Sequence, residues 1–139
     1  MSAVIRAYGA NFDVDAFLPS CALPVSAAKR RGELVSPKTQ ANGRRHERSG
    51  IHIIASDAGF EEFPRQVTEA TAFLRAHAAS LRQLLDFPGV ESVTLDFGIE
   101  APSAFARSNY LPPELVNLAA ALGLGLEISC YAACQSPDP

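Results

Sequence analysis

Cysteine, histidine and arginine are the residue types in this chain best equipped for chemistry, and their spacing argues against most of it. Cys21, Cys130 and Cys134 form an odd set without a CxxC pair, which suits buried thiols in a reducing compartment. Cys130 and Cys134 have no neighbouring His or second Cys pair to complete four ligands, so no zinc site is expected. A Cys–His nucleophile pair requires thiolate and base within hydrogen-bond reach, and Cys130 meets His52 or His77 only if the last strand lies beside them. His77 falls on the apolar stripe of a helix, His52 alternates with isoleucines in a strand, and His46 sits inside RRHER, a solvated loop. Asp13 and Asp15 are a carboxylate pair by spacing, but Asp13 reads as a helix N-cap and Asp15 as an exposed first-turn charge. Asp96 reads as solvent-facing on the polar side of a strand unless a cleft lies there. The nucleophile elbow GxSxG, the phosphate loop GxxxxGK(S/T), GxGxxG and HExxH are all absent. No catalytic residue, metal ligand or cofactor is therefore expected.

The arginines carry more information. Lys29 to Arg48 holds seven basic residues against Glu33 and Glu47, a local balance of +5, and leaves −8 on the rest of the chain. Arg30, Arg31, Arg44, Arg45 and Arg48 are the candidate partner-binding residues, because guanidinium forks bind carboxylates and phosphates in bidentate fashion. The expected partner is an anionic protein surface. Nucleic acid is disfavoured, since the whole chain is acidic and no aromatic residue is interleaved with these arginines. A second candidate is the irregular connection from Glu100 to Tyr110, where Arg107, Asn109 and Tyr110 are candidate ligand-binding residues. That reading gains weight if they converge with Cys130, His52 or His77 around a concave site.

The elements that position these groups follow from periodicity. Ala3 to Gly9 alternates as a strand, Asp13 caps a short helix limited by Pro19 and Pro24, and Val25 to Glu33 can form a second strand. Residues 33–48 form a basic loop or loose hairpin, and Val35 to Arg48 is expected to be unprotected from hydrogen exchange. IHIIAS, Ile51 to Ser56, is a β-branched strand. One long helix from Glu61 to about Asp86 has its stripe at Phe63, Val67, Ala70, Leu74, His77, Leu81 and Leu84. Glu91 to Ile99 alternates as a strand, Pro112 and Pro113 open a helix closed by Gly123, and Leu124 to Tyr131 is the last strand. The tail, 135–139, is expected to fray.

These elements predict one α+β domain over 1–139: a mostly antiparallel sheet of about five strands with two main helices on one face. A ferredoxin-like core with an added βα unit is the nearest simple arrangement. No apolar run reaches the roughly 18 residues of a membrane span, and Asn11 and Asp13 interrupt any signal peptide, so a cytoplasmic location is expected. Oligomeric state stays open.

FDVDAFL, KRRGE, GVESVTLDFGI and above all LPPELVNLAAALGLGLEISCY resemble the bacterial domain of unknown function 4279, over nearly the whole chain. The resemblance implies a small bacterial α/β protein with no established reaction, and it transfers no catalytic residue. An aromatic residue near IHIIAS belongs to that family's pattern, and this chain has no Trp. A non-catalytic binding or interaction module, for instance a toxin-neutralising immunity protein, is the expected function. An enzyme or small-ligand domain using the 100–110 connection is the alternative.

Overall fold

The computed structural model describes residues 2–35, 43–101 and 105–132. The elements run β1 (Ala3–Gly9), α1 (Val14–Phe17) with a 3-10 turn at Leu18–Ser20, β2 (Val25–Lys29), β3 (Ser49–Ser56), α2 (Phe63–Ala76), α3 (Ala78–Asp86), β4 (Ser92–Glu100), α4 (Pro113–Leu122) and β5 (Gly125–Tyr131). They build one five-stranded sheet in the order β2-β3-β1-β4-β5.

The sheet is mixed, which corrects the mostly antiparallel expectation. β1 runs antiparallel to both β3 and β4, and β2 antiparallel to β3, but β5 is parallel to β4. α4 is the reason: a helix crossing over between two strands returns the chain in its original direction. Pro113 opens α4 at a position where a missing N–H costs nothing, and Gly123, at φ 86°, closes it with N–H donation to Ala119 and Ala120.

Alternation in β1 sends Ala3, Ile5 and Ala7 into the core and Val4, Arg6 and Tyr8 to the other face. The inward residues of β3 and β4 join them, and α1 to α4 cover that side as one continuous apolar cluster. Asp13 caps α1 as expected, its Oδ1 accepting from Ala16 N–H at 3.1 Å. Gly89, at φ 89°, packs so close to the 11–12 backbone that an added Cβ would sit 2.2 Å from the Asn11 carbonyl oxygen.

Two further expectations change. The long helix is broken at His77, whose φ of −112° and ψ of 20° lie outside the helical region; α2 ends on its N–H and α3 starts on its carbonyl. The stripe survives the break, with Leu74, Leu81 and Leu84 fully buried, while His77 is half-buried against the Phe73 ring. The basic stretch is a hairpin at its base: Gly32 N–H donates to His46 O, His46 N–H to Glu33 O and Val35 N–H to Arg44 O, each at 2.9 Å. Main-chain pairing needs no apolar side chains, which is why composition alone does not reveal it. The unprotected loop expected over Val35 to Arg48 is therefore paired at Val35, Arg44 and His46, and its middle, 36–42, lies outside the described residues, as does the expected frayed tail.

Candidate functional site

The helices leave one face of the sheet uncovered, and the polar side chains of β1 stand at its centre. Arg6 lies opposite His52 on β3 and Thr94 on β4. It reaches diagonally to Asp96, forming an ion pair with the carboxylate. Asp96 is only 3% exposed, and its two oxygens also accept from Ser129 Oγ at 2.8 and 3.0 Å. A buried carboxylate is stable only when paired and hydrogen-bonded, and Arg6 and Ser129 supply both needs. Asp96 is thus a buried anchor, correcting its expected solvent-facing role; the register that brings Arg6 and Ser129 onto it is set by β1 and β5, its neighbours on either side.

A second pair lies beside the first. The Tyr8 hydroxyl and His52 Nε2 are 2.5 Å apart, with the rings edge-on. Burial, then the charges of Lys29 and Arg6, push the His52 pKa down to about 4, so the ring is neutral near neutral pH. Burial raises the Tyr8 pKa, against the opposing pull of Arg6 and Arg48. A neutral phenol and a neutral imidazole share that hydrogen bond.

Two glycines seat the aromatic rings of this face. A Cβ on Gly50 would lie 2.2 Å from Tyr8 Cδ1, so the Tyr8 ring rests directly on backbone, and the Arg48 guanidinium sits 5.4 Å from its centroid. A Cβ on Gly98 would lie 3.0 Å from Phe60 and 3.1 Å from Tyr131, whose rings stack at 5.2 Å and 22°. Between these seats lies a cleft of about 500 Å³, with Val4, Ile54 and Ala27 as its apolar surface and Arg6, His52, Phe60 and Tyr131 around it.

The hairpin arginines do not act as one patch. Arg30 is drawn off by Asp15, which it contacts through Nε and Nη2 at 2.8 to 3.1 Å, and by Glu33 at 3.8 Å. Arg31 contributes its backbone N–H to Ser49 Oγ. Arg44, Arg45 and Arg48 are exposed and line a cavity of about 320 Å³ with Tyr8, His46 and Glu47. Arg45 also donates to the Gly32 carbonyl at 2.6 Å.

Arg107, Asn109 and Tyr110 share a separate cavity of about 420 Å³ against Phe63, Pro64, Val67 and Thr68 of α2. Cys130, His52 and His77 are not part of it. Cys130 faces the helical side in register with Ile99, whereas His52 is on the open face of β3, with β1 and β4 between their strands. The strand spacing puts them on the order of 14 Å apart, too far for a Cys–His pair. Among the described residues, no group of three His, Cys, Asp or Glu is placed to hold a metal ion. No described helix is long and apolar enough to cross a membrane.

Sequence reasoning missed Arg6, Tyr8, Phe60, Ser129 and Tyr131. The alternation of β1 already placed Arg6 and Tyr8 on one face, but strand order decides that Asp96 and His52 are their neighbours. Comparison with protein-family models, with curated proteins and with solved structures finds no significant match to this chain.

Proposed function

We propose that the chain is a non-catalytic binding module that engages an anionic protein surface through Arg44, Arg45 and Arg48 of the hairpin. One observation carries this reading: the three exposed cations gather around a single cavity beside Tyr8, with Glu47 as the one acid among the described residues of its lining. Cations so placed steer an acidic partner and fix its orientation more than they add raw affinity. The strand order β2-β3-β1-β4 supports a ferredoxin-like core, with α4 and β5 as the added unit. The resemblance to bacterial family 4279 belongs to the same reading of a small bacterial interaction protein, working in the cytoplasm.

A fluorescein-labelled polyglutamate peptide, followed by anisotropy, tests it. Binding at low ionic strength should fade at about 0.2 M salt, since exposed charges are screened within about 10 Å at roughly 0.1 M. The Arg44→Ala, Arg45→Ala, Arg48→Ala variant should lose most of the binding. Equal affinity of the two proteins, or no salt slope, overturns the reading. A small-ligand site under Arg107, Asn109 and Tyr110 is the second reading, favoured by the apolar floor that Phe63 and Val67 give that cavity.

A further inference from the structure

We propose that the cleft on the open face of the sheet is a binding site for a small planar carboxylate, an aromatic acid. Its size, about 500 Å³, falls among ordinary ligand pockets, which span roughly 300 to 1,000 Å³. Val4 and Ile54 form an apolar floor. On one side the stacked pair of Phe60 and Tyr131 stays 39% and 44% exposed, presenting aromatic surface that a flat ring would cover. Gly98, which has no Cβ to hold the rings off, lets that pair rest close on the sheet backbone.

The acid group follows from Arg6. A guanidinium has five N–H donors, and Asp96 and Tyr131 engage only part of that fork. Asp96 lies beneath the cleft rather than in its lining, so Arg6 is the charged group that a ligand meets. Lys29 adds positive potential next to the neutral His52, and among the described residues no carboxylate lines the cleft. A lone guanidinium anchored from behind matches one carboxylate in bidentate geometry. Phosphate recognition calls for more donors, such as a helix N-terminus, and the described residues that line the cleft, on β1, β2, β3 and β5 with Phe60, belong to no helix.

This site goes beyond the hairpin reading and stands apart from it, because Arg44, Arg45 and Arg48 do not line the cleft. The probe is 2-naphthoate, titrated into isotopically labelled protein and followed by amide shifts, with 2-naphthalenemethanol and cyclohexanecarboxylate as controls. Naphthoate should shift amides of residues 4–6, 52–54, 60 and 129–131. The neutral alcohol should bind about tenfold or more weakly, the expected loss of a charge-assisted hydrogen bond. The non-planar acid should bind roughly two- to tenfold more weakly, the loss of ring stacking. Arg6→Lys should reduce naphthoate affinity about tenfold. Phe60→Ala, a loop substitution that leaves the Arg6–Asp96 pair intact, should reduce it several-fold and keeps the test open if Arg6→Lys does not fold. The Arg44→Ala, Arg45→Ala, Arg48→Ala variant should bind naphthoate like the wild type, which separates this site from the polyglutamate result. Equal binding of acid and alcohol, shifts centred on Arg107 to Tyr110, or no shift at millimolar naphthoate overturns the proposal.

Discussion

Replacing His52 with Gln should remove a specific part of the protein's acid sensitivity. In the folded chain the imidazole pKa falls from 6.5 to about 4 through burial and the charges of Lys29 on β2 and Arg6 on β1, while in the unfolded chain it keeps its ordinary value. Above pH 6.5 both states are neutral at this position and it contributes nothing to the pH dependence. As pH falls from there towards 4, the unfolded chain takes up a proton that the folded chain refuses, so stability is lost on acidification. At about pH 5 the full difference would be roughly 2 kcal/mol, from about 1.4 kcal/mol for each pH unit below 6.5. His52 is only half-buried, and solvent screening brings the expected loss to about 1 kcal/mol. Gln offers Tyr8 a hydrogen-bond partner that cannot titrate. Urea unfolding of both proteins at about pH 7.5 and pH 5 should show the wild type losing about 1 kcal/mol more than His52→Gln between the two conditions. Asp15 and Glu69, whose carboxyls are held low by Arg30 and by Ser56 with Arg65, lose stabilisation only at lower pH and do so in both proteins. Pairs of curves whose pH dependence agrees within roughly 0.3 kcal/mol, or a variant that is the more acid-sensitive, would refute the placement of His52 in a cation-lined, half-buried site.

Truncating Leu74 or Leu81, both fully buried, to Ala should cost about 2 to 5 kcal/mol in denaturant melts, and a loss under roughly 0.5 kcal/mol would contradict the packing of α2 and α3 on the sheet. Gly89→Ala should destabilise by more than about 1 kcal/mol, because it adds a positive-φ penalty to a collision with the Asn11 carbonyl; a neutral melt would rule out that close approach. In hydrogen exchange, the amides of Gly32, Val35 and His46 should be slower than those of unpaired surface backbone, and exchange at the unstructured rate would dissolve the hairpin base.

The helix stripe, the cap at Asp13, the Gly123 stop and the alternation of β1, β3 and β4 were all legible, because each depends on residues within a few positions of one another. The break at His77 was not, since Leu74 and Leu81 keep the same spacing whether the helix bends or runs straight. β5 was legible as a strand but not as a parallel one, because direction depends on the crossover through α4 and on which neighbour it joins. The open face was harder still. Asp96 looks bland in SVTLDFGIE, and it becomes a buried anchor only because Arg6, 90 positions earlier, and Ser129, 33 positions later, are brought onto it. Arg30 shows the opposite error: its place in the KRR run suggested an available cation, while Asp15, from α1, already occupies it.

The position of β1 also sets an order in time. Of the described strands it comes earliest in the sequence, yet it lies between β3 and β4, pairing Tyr8 with Gly50 on one side and with Ser92 on the other. At a translation rate of about 5 to 20 residues per second, its second edge stays unsatisfied for on the order of 5 to 20 seconds after it leaves the ribosome. During that interval Ala3, Ile5 and Ala7 have no completed core, and the pairing that closes the sheet must bridge most of the described chain. Folding should therefore be slow for a domain this size, because loop closure precedes the reward of the central contacts. The nascent chain is most exposed to misassociation before β4 arrives, and a chaperone acting on it would find an apolar target in Ala3, Ile5 and Ala7 of β1.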